Sequence, residues 1–498
     1  MKHIIKISVF LICFTSLAQE KNVFHDRSFW NENPSLNTVK EKITEGMDPV
    51  AFNNNGFDAT TNAILAKANA DVIKYLLSLE GNSVDKRTHD SRIYLHWATY
   101  AGHTEIIKTL LKKGSSTTAQ DSRGNTPLTF AANSGQADTA VYDIFIENGV
   151  NLASEKNQDG ANVLLLVAPF LENEKDLDYF ISKGIALNST DKNGNGIFNY
   201  AARKGNVRLL KQLVKKGVDY KSLNKNGGNA FMFAAQGTRG FSNSLPVYEY
   251  LKNLGLEPNI VTNSGSTPLH RIAYTNTDPA IFTLFLKAGV KVEQKDSDGN
   301  TPFLNAASKN DLEIVKLLSK QVKNIDHKNN KGQTALMLAY ANNSVDVVEL
   351  LLQKGADISL KDANGNNMAY YLLESFNTKK PTEFNTKLEL LQKKEVALNT
   401  VQGEGNTLYH LAAKTNNLNL LKQLASYKLN IDVNVVNAEG MTALHQAAMK
   451  AEDDEMMKYL ITLGAKKDAK TDFEETAYDL ASENELLQKN NVELKFLK

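Results

Sequence analysis

The chain has 498 residues, with Lys+Arg 57 against Asp+Glu 56, 42% hydrophobic and 23% charged residues, and only 10 Pro and 29 Gly. This is the composition of a folded, near-neutral protein, neither disordered nor collagen-like. A nucleic-acid or membrane-surface role shows as a basic excess, which is missing, so the partner class left standing is protein or small molecule.

At the N-terminus, Lys2 and Lys6 precede an apolar run from Ile7 to Leu17, with small Ser16 and Ala18 before Gln19. The pattern predicts a secretory signal peptide over 1–18, too short to span a bilayer as a helix, with cleavage before Gln19. The single cysteine, Cys13, lies in that run, and Ile12 stands where a lipidated cysteine would want a small residue. The exported chain would therefore contain no cysteine, which removes disulfides, thiol catalysis and cysteine-ligated metals. Residues 19–34 carry no periodic signal and read as an exposed lead-in, despite Trp30.

From 35 to 498 the chain repeats itself. Leu36 to Gly46 reads as a second helix without its first, making 35–57 an N-terminal half-repeat. The clearest later copies open Asp121-Ser-Arg-Gly-Asn-Thr-Pro-Leu, Asn263-Ser-Gly-Ser-Thr-Pro-Leu-His, Asp296-Ser-Asp-Gly-Asn-Thr-Pro-Phe, Lys331-Gly-Gln-Thr-Ala-Leu and Glu439-Gly-Met-Thr-Ala-Leu-His. Aligned on Gly124, Gly160, Gly194, Gly227, Gly265, Gly299, Gly332, Gly365, Gly405 and Gly440, the spacings are 36, 34, 33, 38, 34, 33, 33, 40 and 35. Asp or Asn before glycine is turn chemistry, and Thr-Pro supplies a helix N-cap followed by a proline whose missing N–H costs nothing there. Alanine pairs such as Ala131-Ala132 and Ala306-Ala307 let helices approach. Apolar pairs ahead of Gly114, Gly149, Gly184, Gly217, Gly289, Gly355 and Gly464 end the second helices at left-handed caps. Copies at Asn62, Ile93, Asn162 and Asn367 depart from the Thr-Pro-Leu pattern. Insertions fall at 237–244 and 375–382, and 471–498 closes the array as a cap whose last helix runs from Glu483 to Lys498.

A turn, helix, turn, helix unit of about 33 residues carrying Thr-Pro-Leu-His resembles the ankyrin repeat. The resemblance implies an all-α solenoid of about twelve helix-turn-helix repeats with short hairpins and capping repeats at both ends. It makes His96, His270, His410 and His445 motif residues, and His103 a second-helix residue, rather than metal ligands. Asp191-Lys-Asn-Gly-Asn-Gly opens like a calcium loop, but Ala202 occupies the twelfth place, where a bidentate Glu belongs, so it reads as a repeat hairpin. No phosphate loop, nucleophile elbow or dinucleotide fingerprint is present, and no cofactor is expected.

The function implied is a non-catalytic protein-binding scaffold, monomeric and periplasmic or secreted, of a bacterial type. The alternatives are an exported enzyme or small-molecule binder with its site in the inserted loops, and a structural spacer. In the ankyrin family partners are held by hairpin tips and by residues just after the small pair of the first helix, facing the concave groove. That rule selects Tyr100, Arg203, Lys204, Tyr274 and Lys309 on helices and Arg123 and Lys192 on tips, with Phe170, Lys414, Lys450, Arg92, Lys225 and Lys331 behind them. The set is net basic, which points to a protein partner with an acidic surface and not to nucleic acid.

Overall fold

The computed structural model describes residues 22–498. The predicted signal peptide and Cys13 lie outside the described residues. Among those described, every named element is a helix, and extended pairing is limited to isolated bridges such as Lys156–Asn162 and Lys470–Thr476 at hairpin necks. Twelve complete helix pairs, from Ala59–Leu65 with Ala70–Leu76 to Ala443–Lys450 with Glu455–Thr462, lie between shorter pairs at each end. The described residues form two compact units, one of residues 22–201 together with Arg208–Asp219, the other of Ala202–Val207 together with Tyr220–Lys498.

Within each unit the same local chemistry recurs. Thr301 Oγ1 accepts the Leu304 amide at 3.2 Å while Pro302 fills the first helical position. Ala306 and Ala307 are fully buried, so Pro302–Lys309 packs closely on Pro268–Thr275 and on Ala335–Asn342. Second helices stack on second helices, as Leu312–Ser319 does on Val345–Gln353. The helix Val345–Gln353 buries Val347, Val348 and Leu351. It ends at Gly355, whose φ of +89° is the left-handed cap that the Leu-Leu-x-x-Gly spacing predicts.

Many of the hairpins are built by an Asp or Asn three residues before the turn glycine. Asp121 Oδ1 accepts the Arg123 and Asn125 amides, both at 2.9 Å, and Asp296 does the same for Asp298 and Asn300. Adjacent hairpins are then tied by backbone bonds, Ser122 to the Asp90 carbonyl at 2.8 Å and Asn330 to the Asp298 carbonyl at 2.9 Å.

Three boundaries differ from the sequence reading. Residues 22–34 are not an exposed lead-in. Phe24 and Trp30 are buried, ring on ring at 5.7 Å, and the short helix Arg27–Asn31 stacks on Ala59–Leu65 as the missing first helix of the N-terminal half-repeat. A turn this short leaves no periodicity to detect, but its aromatics find the exposed face of the first full repeat. The segment 375–382 is not wholly a loop, because Pro381 starts a 13-residue second helix, Pro381–Lys393. At the other end the last helix covers only Glu485–Lys489, since Asn491 turns left-handed at φ +53° and folds the chain back to bury Leu497.

Candidate partner-binding surface

The motif histidines fasten one repeat to the next. His410 Nδ1 accepts the Thr407 amide at 3.1 Å, which leaves the proton on Nε2 to donate to the Met441 carbonyl of the following hairpin at 2.9 Å. His96, His270 and His445 make the same pair of contacts, reaching Asn125, Asn300 and Ala469. Burial pushes all four below the ordinary imidazole range, His96 to about 4, so the ring that holds this geometry is neutral. His103 Nε2 lies 3.3 Å from the Ala68 carbonyl of the preceding repeat. No group of three metal-ligating side chains occurs among the described residues. Both oxygens of Asp191 are engaged inside their own hairpin, by the Asn193 and Asn195 amides, the Asn195 side chain and the Tyr200 hydroxyl.

In the first unit, Tyr100 follows the buried Ala98 and Thr99 on Tyr94–Ala101 and is 42% exposed, its ring 5.7 Å from Phe130. Arg123 is exposed at its hairpin tip, 3.9 Å from Asp90. Lys192 is exposed but reaches back, its Nζ donating to the Gln158 carbonyl at 2.7 Å. Contrary to the sequence reading, Arg92 is buried rather than presented at a tip. Its guanidinium pairs with Asp121 at 3.1 Å and Asp90 at 3.2 Å and lies 4.2 Å from the Phe130 ring centre. Two carboxylates and aromatic faces compensate its desolvation, so it braces two hairpins. Phe170 is half-buried and lies against Gly135, where an added Cβ would come within 2.9 Å of its ring.

In the second unit, Tyr274 follows Ile272 and Ala273 and is 44% exposed, and Lys204, Lys309, Lys414 and Lys450 are exposed at related positions. Lys225 and Lys331 are exposed on hairpins. Arg203 is half-buried, and its Nε donates to the Gly237 carbonyl at 3.3 Å, which anchors the 237–244 insertion. That insertion is a tight turn, with Thr238 and Phe241 exchanging backbone bonds of 3.1 and 2.9 Å.

Two features escape the sequence reading. One is a ladder of asparagines between first and second helices. Asn310 Nδ2 donates to the Ala273 and Asn276 carbonyls at 2.8 and 2.9 Å, and Asn343 to those of Ala307 and Asn310 at 3.0 and 2.8 Å. Asn276 reaches Asn243 at 3.0 Å in the same way. The signal was available, since Asn276, Asn310 and Asn343 recur at the repeat period. The other is a cleft of about 640 Å³ between Met368–Glu374 and Leu408–Lys414. These first helices pack much less closely on each other than Met368–Glu374 does on Ala335–Asn342, or Leu408–Lys414 on Ala443–Lys450. The 40-residue spacing from Gly365 to Gly405 marks the place.

Paired helices and hairpins in one register define a tandem-repeat interaction fold. The profile of the family described as ankyrin repeats, in three copies, matches residues 30–121, 95–191, 164–262, 198–293, 269–362 and 364–471. The chain belongs to the ankyrin repeat family. Over 107 residues it is 31% identical to the transient receptor potential cation channel subfamily A member 1 homolog of Caenorhabditis elegans, covering 22% of this chain and 8% of that one. Over 180 residues it is 24% identical to the palmitoyltransferase AKR1 of Lachancea kluyveri, covering 36% of this chain and 24% of the enzyme. The similarity thus spans less than a quarter of either relative. No helix among the described residues is long and apolar enough to cross a membrane.

Proposed function

We propose that this chain is a non-catalytic scaffold that works outside the cytoplasm and holds a protein partner on the concave faces of its ankyrin units. The observation that carries the reading is Tyr100 and Tyr274, two large aromatics left more than 40% exposed just after buried pairs, Ala98-Thr99 and Ile272-Ala273. Tyrosine at such a position supplies a rigid contact with a polar tip, the residue type enriched in interface hot spots. Lys204, Lys309, Arg123 and Lys192 favour a partner whose surface is largely acidic. Arg203 is better assigned to supporting the 237–244 turn. Export rests on the Lys2 to Ala18 pattern, and N-terminal sequencing that begins at or near Gln19 in an exported fraction is its check.

The test is affinity copurification from the native compartment with the wild type and with Tyr100→Ala/Tyr274→Ala, folding being verified by circular dichroism. A partner held by the wild type and lost by the variant supports the concave face. Equal recovery from a folded variant moves the contact elsewhere.

A further inference from the structure

The cleft between Met368–Glu374 and Leu408–Lys414 has a composition unlike the rest of the candidate surface. Leu373 and Leu420 form buried wall, and Leu411 is half-buried beside them. Around the mouth stand Glu374, Glu404, Tyr370 and Lys414. Lys414 is the single cation of the lining, and its Nζ is 3.7 Å from Glu404 Oε2, an exposed and loose pair. Among the described residues Glu374 makes no ion pair within 4 Å, and the cleft carries a net negative charge. Glu404 sits at φ +59°, a left-handed conformation that costs a non-glycine residue free energy and directs this hairpin. Although Glu374 reaches solvent, burial foremost raises its carboxyl above the ordinary range, the Tyr370 hydroxyl opposing the shift and the charge of Asp362 adding to it. A carboxylate so placed gains from a cation brought against it.

An apolar wall with carboxylates at the mouth matches one kind of side chain, a long aliphatic stem ending in a positive charge. We propose that this cleft receives an arginine or lysine side chain of the protein partner, its methylenes on Leu373, Leu411 and Leu420 and its charge on Glu374 and Glu404. The proposal rests on the scaffold reading and refines it, adding one basic anchor to an otherwise acidic partner surface.

The probes are blocked nine-residue glycine-serine peptides that differ only at the centre, which is arginine, lysine, citrulline or glutamate. Each is titrated into the full chain with leucine methyls labelled for NMR. The arginine and lysine peptides are expected to shift the Leu373, Leu411 and Leu420 methyls. Citrulline, which keeps the shape of arginine without its charge, should bind about tenfold more weakly, as should the arginine peptide to Glu374→Gln/Glu404→Gln. Glu439→Gln, on the next hairpin, should leave binding unchanged. Equal binding of citrulline and arginine, no shift with either cation, or full binding by the double variant overturns the proposal. Partner recovery that still depends on Tyr100 and Tyr274 would leave the scaffold reading intact in that case, so the two fail separately.

Discussion

Acidifying the protein from pH 7.5 to 5 should loosen the junction between Tyr94–Ala101 and Pro127–Asn133 through His96. The neutral ring accepts the Ile93 amide at Nδ1 and donates from Nε2 to the Asn125 carbonyl, and a second proton would break the first of these bonds inside a fully buried site. Folded His96 titrates at about 4 against 6.5 for an unperturbed ring. With each pKa unit equivalent to about 1.4 kcal/mol, His96 contributes about 3 kcal/mol. Because the folded value is the lower one, that stability is fully present above 6.5 and drains away as pH falls toward 4. Asp121, held low by its hairpin amides and Arg92 against the cost of its burial, loses its contribution only below 3.8, outside this window. Glu155, raised by burial beside Thr126, acts in the opposite sense, and comparison with a His96 variant cancels it. The assay is native-state hydrogen exchange of amides in the two helices at pH 7.5, 6 and 5, corrected for intrinsic rates, in wild type and His96→Gln. Protection in the wild type should fall with pH while the variant, weaker at pH 7.5, stays flatter. Equal pH dependence in both proteins would refute the reasoning.

Leu351→Ala, which empties a fully buried position, should cost about 2–5 kcal/mol, read as a lower urea midpoint. Asn310→Ala strips partners from the Ala273 and Asn276 carbonyls and should cost about 1–3 kcal/mol in the same titration, while Asn310→Asp should fare no better because it lacks the amide donor. Ser91 occupies the turn-glycine place at φ +58°, so Ser91→Gly should stabilise the chain by about 1 kcal/mol, seen as a higher melting temperature. Treatment with EDTA should leave the melting temperature unchanged, since Asp191 spends its oxygens on its own hairpin.

The fold was legible where each repeat must solve the same problem with the same residues. Thr-Pro caps, buried alanine pairs and left-handed glycines are local devices, and local devices leave a periodic trace. What failed to show were places where tertiary contact decides. Trp30 sits in a stretch without periodicity, and only the open face of Ala59–Leu65 makes its burial favourable. The last helix reads as continuous to Lys498, but two asparagines and an apolar pair, Phe496-Leu497, favour a return to the cap. Arg92 reads as a tip residue because its hairpin has no glycine, but the partners that make its burial tolerable come from Asp121 and Phe130, 29 and 38 residues away in sequence.

The candidate surface was legible by position and not by state. The rule that places residues after the small pair on the concave side finds Tyr100 and Tyr274 exposed, yet the same rule selects Arg203, which the Gly237 carbonyl engages. Register says where a side chain points; whether it is spent on a neighbour depends on the insertion that follows it. The same logic explains the cleft. Extra residues between Gly365 and Gly405 lengthen the second helix to Pro381–Lys393, whose Lys387 is buried with Nζ donating to the Tyr340 carbonyl at 2.9 Å. That helix therefore keeps its hold on the preceding repeat while the next first helix packs less closely on Met368–Glu374, and the gap opens on the side where Glu374 and Glu404 stand. An insertion on the second-helix side thereby goes with a recess among the first helices of the same repeats.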